Sequence, residues 1–248
     1  MHPSVVQLVV ISDFTCPWCY IGLRELQNAI KESAAELQLT IKVEHRPFLL
    51  HPSLSEDKVS DKHEWYLEKF GSEKLEEVKA AVTSRAKDVG IEVIFTGSMS
   101  QTIRAHRLSR KAYILGGQEL QEKFLDVIFR SYFTEGKNIG DFNLLGDLAE
   151  EAGVMSKDKA IEFLTSDECQ EEVESMAAEA RRKGVTGVPF AIINGRWAVS
   201  GGQTAEVYGQ IFRKLAGKGP LHVIPNAPSC STGSTGGCPG TAAATVKS

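Results

Sequence analysis

No apolar run in this sequence is long enough to cross a bilayer. A spanning helix needs about twenty residues, and the best candidate, "VVQLVVI" at 5–11, is soon followed by Asp13. No membrane partner is expected. Positive charge is also sparse: 28 basic residues face 32 acidic ones for a formal net charge of -4, and the densest basic stretch is "ARRKG" at 180–184. Nucleic acid and other polyanions are therefore poor candidates as partners. Neither a G-x-G-x-x-G segment nor a P-loop occurs, which removes the usual nucleotide cradles. The first residues, "MHPSVVQLVV", lack a basic n-region and a small-residue cleavage site, so a cytoplasmic protein is expected. Cysteine is scarce and odd in number, five in 248 residues, so no complete disulfide framework is possible. In a reducing compartment each cysteine is judged by its reactivity.

What is present is ordinary globular material, with 42% hydrophobic and 24% charged residues in a chain long enough to bury a full core. "VVQLVVI" is β-branched and apolar on both parities, as in a strand covered on both faces. From Pro17 the period changes: Leu23, Leu26, Ile30, Ala34 and Leu37 mark one stripe of a helix. "IKVEHRPF" at 41–48 alternates like a second strand, and a strand, helix, strand unit predicts a right-handed crossover with a parallel pair. Residues 57–183 then read as a run of helices. Strand character returns in "PFAIING" and "RWAVSGG", where Asn194-Gly195 signals a hairpin. An amphipathic helix carrying Val207, Ile211 and Leu215 follows. The expected fold class is α/β, with a discontinuous domain (1–56 and 184–216), a helical insertion domain (57–183), and a flexible Gly/Ser/Pro-rich tail at 217–248, too poor in apolar residues to pack.

The chemistry centres on "DFTCPWCY" at 13–20, where strand gives way to helix. Zinc is not expected, because a structural site takes four ligands and the second short-spaced pair is missing. Cys230 and Cys238 have seven residues between them, and the six histidines supply no His-x-x-x-His. A structural disulfide closing so small a loop would add little stability. A redox pair fits better. With Pro17 in the first helical turn, Cys16 caps the helix, and its free N–H groups favour a thiolate. Cys16 is then the accessible, acidic nucleophile, and Cys19, one turn on, the shielded thiol that resolves a mixed disulfide.

These residues resemble the DsbA-like thioredoxin superfamily, and most closely its FrnE-like branch, through "DFTCPWCYIG", "RAHRL" at 104–108, and "GVTGVPFAIING" followed by "SGGQ" at 184–203. The resemblance implies a thioredoxin fold with a large helical insertion between the second and third strands. It implies that Val188-Pro189 is a cis peptide facing the cysteines, with Val188's backbone available to an extended polypeptide. Pro17, Trp18, Val188 and Pro189 are the candidate substrate-binding residues, although Trp18 reads equally well as packing on the insertion. A buried acid common in thioredoxin-like proteins would fall at Val10, so Asp13 is a candidate substitute, although an Asp at a strand end more often serves a turn. His106 is a further accessory candidate that reads more readily as an interface residue. Cys230 and Cys238 are candidates for a second relay.

The activity implied is thiol–disulfide exchange on protein or peptide disulfides. It needs no metal or organic cofactor, and glutathione or a thioredoxin-type reductant is a candidate redox partner. Two alternatives accompany it. Relatives of this fold include 2-hydroxychromene-2-carboxylate isomerases and kappa-class glutathione transferases. These typically carry Ser where this chain has Cys16, and Asn where it has Gln101. A non-enzymatic alternative is a peptide-binding chaperone module using the groove beside Pro189.

Overall fold

The computed structural model describes residues 4–217, 227–231 and 240–242. β1 (Ser4–Ser12) runs into α1 (Pro17–Leu37) and returns as β2 (Leu39–Pro47). β1 and β2 pair in parallel, Ser4 opposite Leu39 through Ser12 opposite Pro47. The stripe on α1 is buried at Leu23, Leu26 and Leu37.

Short strands β3 (Ser60–Asp61) and β4 (Ser98–Met99) pair with each other and bracket α2 (Lys62–Phe70) and α3 (Ser72–Asp88). The long α4 (Ile103–Phe133) breaks at Gly116-Gly117, where Gly117 adopts φ 63°, a left-handed conformation glycine takes without steric cost. α5 (Phe142–Glu151), α6 (Lys157–Thr165) and α7 (Gln170–Arg182) follow it. The stretch "IEVIF" at 91–95, which has strand composition, forms no strand; Ile94 N–H instead bonds the carbonyl of Phe133 at the end of α4.

β5 (Gly187–Val188), β6 (Phe190–Ile193) and β7 (Trp197–Ser200) lead to α8 (Ala205–Leu215). The main sheet has order β2-β1-β6-β7, with β6 antiparallel to both neighbours. The fold is thus of thioredoxin type, with the helices α2 to α7 inserted between its second and third sheet strands. The hairpin turns on Asn194 and Gly195, both at positive φ (51° and 65°), as a two-residue turn matching the strand twist requires. Asn194 Oδ1 also accepts the Gln7 N–H, tying the turn to β1.

Two apolar clusters hold these layers. One joins the sheet to α1 and α8 through Leu8, Val43, Ile193, Ile211 and Phe212. The other runs from the opposite side of α1 into the inserted helices, through Phe14, Trp18, Tyr20, Phe129 and Tyr132. The cysteine-bearing turn of α1 is therefore clamped between sheet and insertion.

The C-terminal segment differs from its composition. Where a flexible tail is expected, β8 (Ala227–Ser231) pairs antiparallel with β5, and β9 (Gly240–Ala242) pairs with β8. The reason is that strand pairing is made by the backbone, and a Ser/Pro/Ala segment lacking apolar bulk still carries N–H and C=O groups. Cys238 lies outside the described residues.

Candidate active site

The turn preceding α1 places the two cysteines. Cys16 N–H donates to the Asp13 carbonyl, and the Cys16 carbonyl accepts from the N–H groups of Cys19 (3.0 Å) and Tyr20 (3.4 Å), so Cys16 occupies the capping position of the helix. Cys16 and Cys19 are both thiols, with no bridge between them. Burial alone would push the Cys16 thiol up, but hydrogen bonds from the Cys19 thiol, the Cys230 thiol and the Cys19 N–H outweigh it and bring it down to about 5. Cys19 moves the other way: burial, its bond to Cys16 and the charge of that thiolate hold it well above the ordinary thiol range. The two sulfurs are thus chemically unequal.

Across from them the Val188-Pro189 peptide is cis, and the protonated Cys16 Sγ lies 3.4 Å from the Val188 carbonyl that accepts its hydrogen bond. Pro189 also packs on α1 at Gly22, where a Cβ would meet Pro189 Cγ at 3.3 Å; glycine lets loop and helix approach this closely. Pro17, Val188 and Pro189 are all buried.

Three features of the site differ from expectation. Cys16 is not exposed: its relative accessibility is 0%. Trp18 is not an exposed contact surface but a fully covered core side chain at 1%, because the inserted helices close over this face of α1. The backbone at Val188 is already engaged, since β8 sets Cys230 directly opposite Val188 and Ser231 opposite Gly187. Cys230 is itself buried and joins the same apolar cluster as Cys16. The sequence marks Cys230 as a candidate relay to Cys16, and the structure sets it opposite Val188 in the same apolar cluster as Cys16.

Asp13 and His106 are brought together. Asp13 is 1% exposed; Oδ2 accepts the Leu50 N–H at 2.6 Å and Oδ1 the Thr15 N–H at 3.4 Å, which is a turn residue's work. His106 Nε2 lies 3.6 Å from Asp13 Oδ1, an ion-pair contact when the imidazole is protonated and longer than a hydrogen bond. The ring packs on Phe14 at a tilt of 34°, centroids 4.5 Å apart. Burial pushes the Asp13 carboxyl up, but the neighbouring His106, the Leu50 N–H and His51 hold it below the ordinary carboxylate range. A fixed negative charge here opposes ionisation of both thiols. Asp13 therefore restrains the thiolate, whose stabilisation comes from thiol and N–H donors.

A model of the DSBA-like thioredoxin domain matches residues 7–212. The chain belongs to this family. The family is typically one of disulfide oxidoreductases, and the chain resembles a probable DsbA oxidoreductase from Streptomyces coelicolor at 27% identity and TM-score 0.76, covering 89% of this chain and 94% of that one. It is 28% identical to the uncharacterized protein YwbO of Bacillus subtilis (strain 168), over 82% of this chain and 94% of the relative. A 2-hydroxychromene-2-carboxylate isomerase shares the fold at 17% identity and TM-score 0.62, over 86% of this chain and all of that one. Among the described residues of this DSBA-like chain no helix is long and apolar enough to cross a membrane.

The low value for Cys16 has a direct spectroscopic consequence. Titrated with acid, the reduced protein should lose its thiolate ultraviolet absorbance, relative to Cys16→Ser, with a midpoint near about 5. Cys230→Ala removes one donor and should move that midpoint upward. A midpoint in the ordinary thiol range near about 8.5 would remove the thiolate from the site's chemistry.

Proposed function

We propose that the protein exchanges disulfides with protein or peptide substrates through the Cys-Pro-Trp-Cys pair, as a FrnE-like member of the family. The supporting observation is the asymmetry of the pair, Cys16 lowered and Cys19 raised, beside the Val188-Pro189 loop. In the reducing direction the Cys16 thiolate attacks one sulfur of a substrate disulfide, the S–S bond breaks, and a substrate thiolate leaves. Cys19 then gives up its proton and attacks Cys16 Sγ; the Cys16–Cys19 disulfide forms and the second substrate thiolate departs, so the substrate gains two electrons and the enzyme loses two. Oxidation of a dithiol runs the same steps backward.

An extended substrate binds by pairing at Gly187–Val188, in place of β8, with its cysteine where Cys230 lies. Glutathione or a thioredoxin-type protein resets the pair in the cytoplasm. The exchange calls for neither metal nor organic cofactor.

Equilibration with glutathione buffers tests this reading. The Cys16–Cys19 disulfide should appear and disappear reversibly with the reduced-to-oxidised ratio, and the oxidised form should accept electrons from a dithiol peptide. A low thiolate pKa stabilises the reduced form, so the potential should be more oxidising than thioredoxin's, above about -270 mV. A pair that never bridges under oxidising buffer sinks the proposal.

A further inference from the structure

The resolving step requires Cys19 to lose a proton from a site buried on all sides. Cys19 is 3% exposed and lines a narrow cavity between α1, the sheet and α4, together with Val10, His45, Phe129, Pro189 and Tyr208. His45 stands beside Val10 in the β1–β2 register, is 6% exposed, and its Nε2 has no hydrogen-bond partner among the described residues. An unpaired polar atom at such depth is costly and needs an explanation. Its backbone is fixed: His45 N–H donates to Gln121 Oε1 at 2.9 Å, and Gln121 Nε2 donates to the His45 carbonyl at 2.8 Å.

We infer that His45 is the proton acceptor for Cys19 when Cys19 attacks the mixed disulfide on Cys16. The inference rests on the oxidoreductase reading above and adds the base that reading lacks. In the step, the Cys19 S–H bond breaks and the proton crosses the cavity to His45 Nε2 by way of one water, since the two groups are not directly hydrogen-bonded. The Cys19 sulfur bonds to Cys16 Sγ, the Cys16–substrate bond breaks, and the imidazolium returns its proton to the departing thiolate or to solvent.

The surroundings single out His45. α1 presents Cys19 to the cavity, β1 presents Val10 and Ser12, α4 presents Leu125 and Phe129, and α8 presents Tyr208. Burial, with the charges of Cys19 and Glu25, raises the Tyr208 phenol far above neutrality, so it holds its proton and cannot take another. Glu25 is committed to Arg85 and to the Ala205 N–H. Glu44 and Arg46, flanking His45 on β2, fall on the opposite face of the sheet and pair with each other. Asp13 is committed to Thr15 and Leu50 and is not among the cavity's lining residues.

Burial holds the His45 imidazole low, at about 4, so the ring is neutral at neutral pH and, in the tautomer with its proton on Nδ1, offers the Nε2 lone pair to the cavity. Once Cys16 is locked in a mixed disulfide its charge is gone, and with it two of the causes that keep the Cys19 proton bound. A nascent Cys19 thiolate in turn favours the charged imidazole, so donor and acceptor converge as the step proceeds.

The test uses the full-length chain with Cys169, Cys230 and Cys238 replaced by serine, and dithiobis(nitrobenzoic acid) as the disulfide. Attack by Cys16 releases a first coloured thiolate and attack by Cys19 a second. His45→Gln should leave the first phase unchanged and slow the second by about a hundredfold, the scale of general base catalysis. With His45 present, the second phase should be nearly flat with pH around neutrality; in His45→Gln it should climb about tenfold per pH unit as preformed thiolate takes over. Equal second phases in His45→Gln, His45→Phe and the parent would overturn the inference, as would a steep pH climb in the parent alone, which no folding defect can confound. Absence of the first phase in the parent would instead sink the oxidoreductase reading.

Discussion

Cys19→Ser should turn the protein into a trap. Cys16 keeps its place at the cap of α1, where the Cys19 N–H, unaffected by the substitution, still faces its sulfur. A serine hydroxyl can still donate to the thiolate, so Cys16 remains nucleophilic and attacks substrate disulfides. The second attack has no sulfur to make it, and adducts should accumulate as mixed disulfides that dithiothreitol releases. Cys16→Ser should form no adducts and turn over at the uncatalysed rate, because Cys19, with its proton tightly held, is a poor replacement. Mass spectrometry of lysate proteins captured by each variant reads the difference. Adducts of comparable yield on Cys16→Ser would reverse the assigned roles, and no adducts on either would remove exchange as the activity.

Much of this was legible because it is local. The switch from the β-branched run "VVQLVVI", apolar on both parities, to the three-and-four spacing of Leu23 and Leu26 places the cysteines at a strand-to-helix turn, and the structure puts Cys16 at that cap. Asn194-Gly195 is a turn whose backbone demands those residues, so the hairpin was visible too. What escaped depends on contacts between distant segments. Trp18 is covered because the insertion folds back onto α1, and nothing between Cys16 and Cys19 says so. His45 reads as one alternating residue of a strand; its meaning comes from standing beside Val10 across the β1–β2 ladder. The pairing of β8 with β5 involves Gly187 and Val188 on one side and a Ser/Pro-rich segment on the other, with neither length nor apolar pattern to announce it.

Truncation after Gly217 should expose the site and speed the exchange. In the intact chain β8 covers Cys16 and sits on Gly187–Val188, with Cys230 opposite Val188 and its thiol bonded to Cys16, the place an extended substrate would take. A substrate strand must first displace it. On the order of two backbone hydrogen bonds at about 1 kcal/mol each set the scale of that competition at ~2 kcal/mol. Tethering holds the competing strand at an effective concentration of about the millimolar range. The expected net effect is a rise in kcat/KM for a disulfide-bonded peptide of about tenfold, or ~1.4 kcal/mol, with a similar rise in the iodoacetamide reactivity of Cys16. The fold should survive, since the apolar contacts joining the sheet, α1 and α8 lie before residue 217. Limited oxidation of the intact protein with diamide separates occlusion from relay. Placement of Cys230 beside Cys16 predicts a Cys16–Cys230 disulfide, found by peptide mapping and lost in Cys230→Ala. If the tail relays electrons, Cys230→Ala should slow turnover of the peptide; if it only occludes, Cys230→Ala should leave turnover unchanged or faster. Truncation that leaves both Cys16 reactivity and turnover unchanged would mean that β8 does not cover the site in solution.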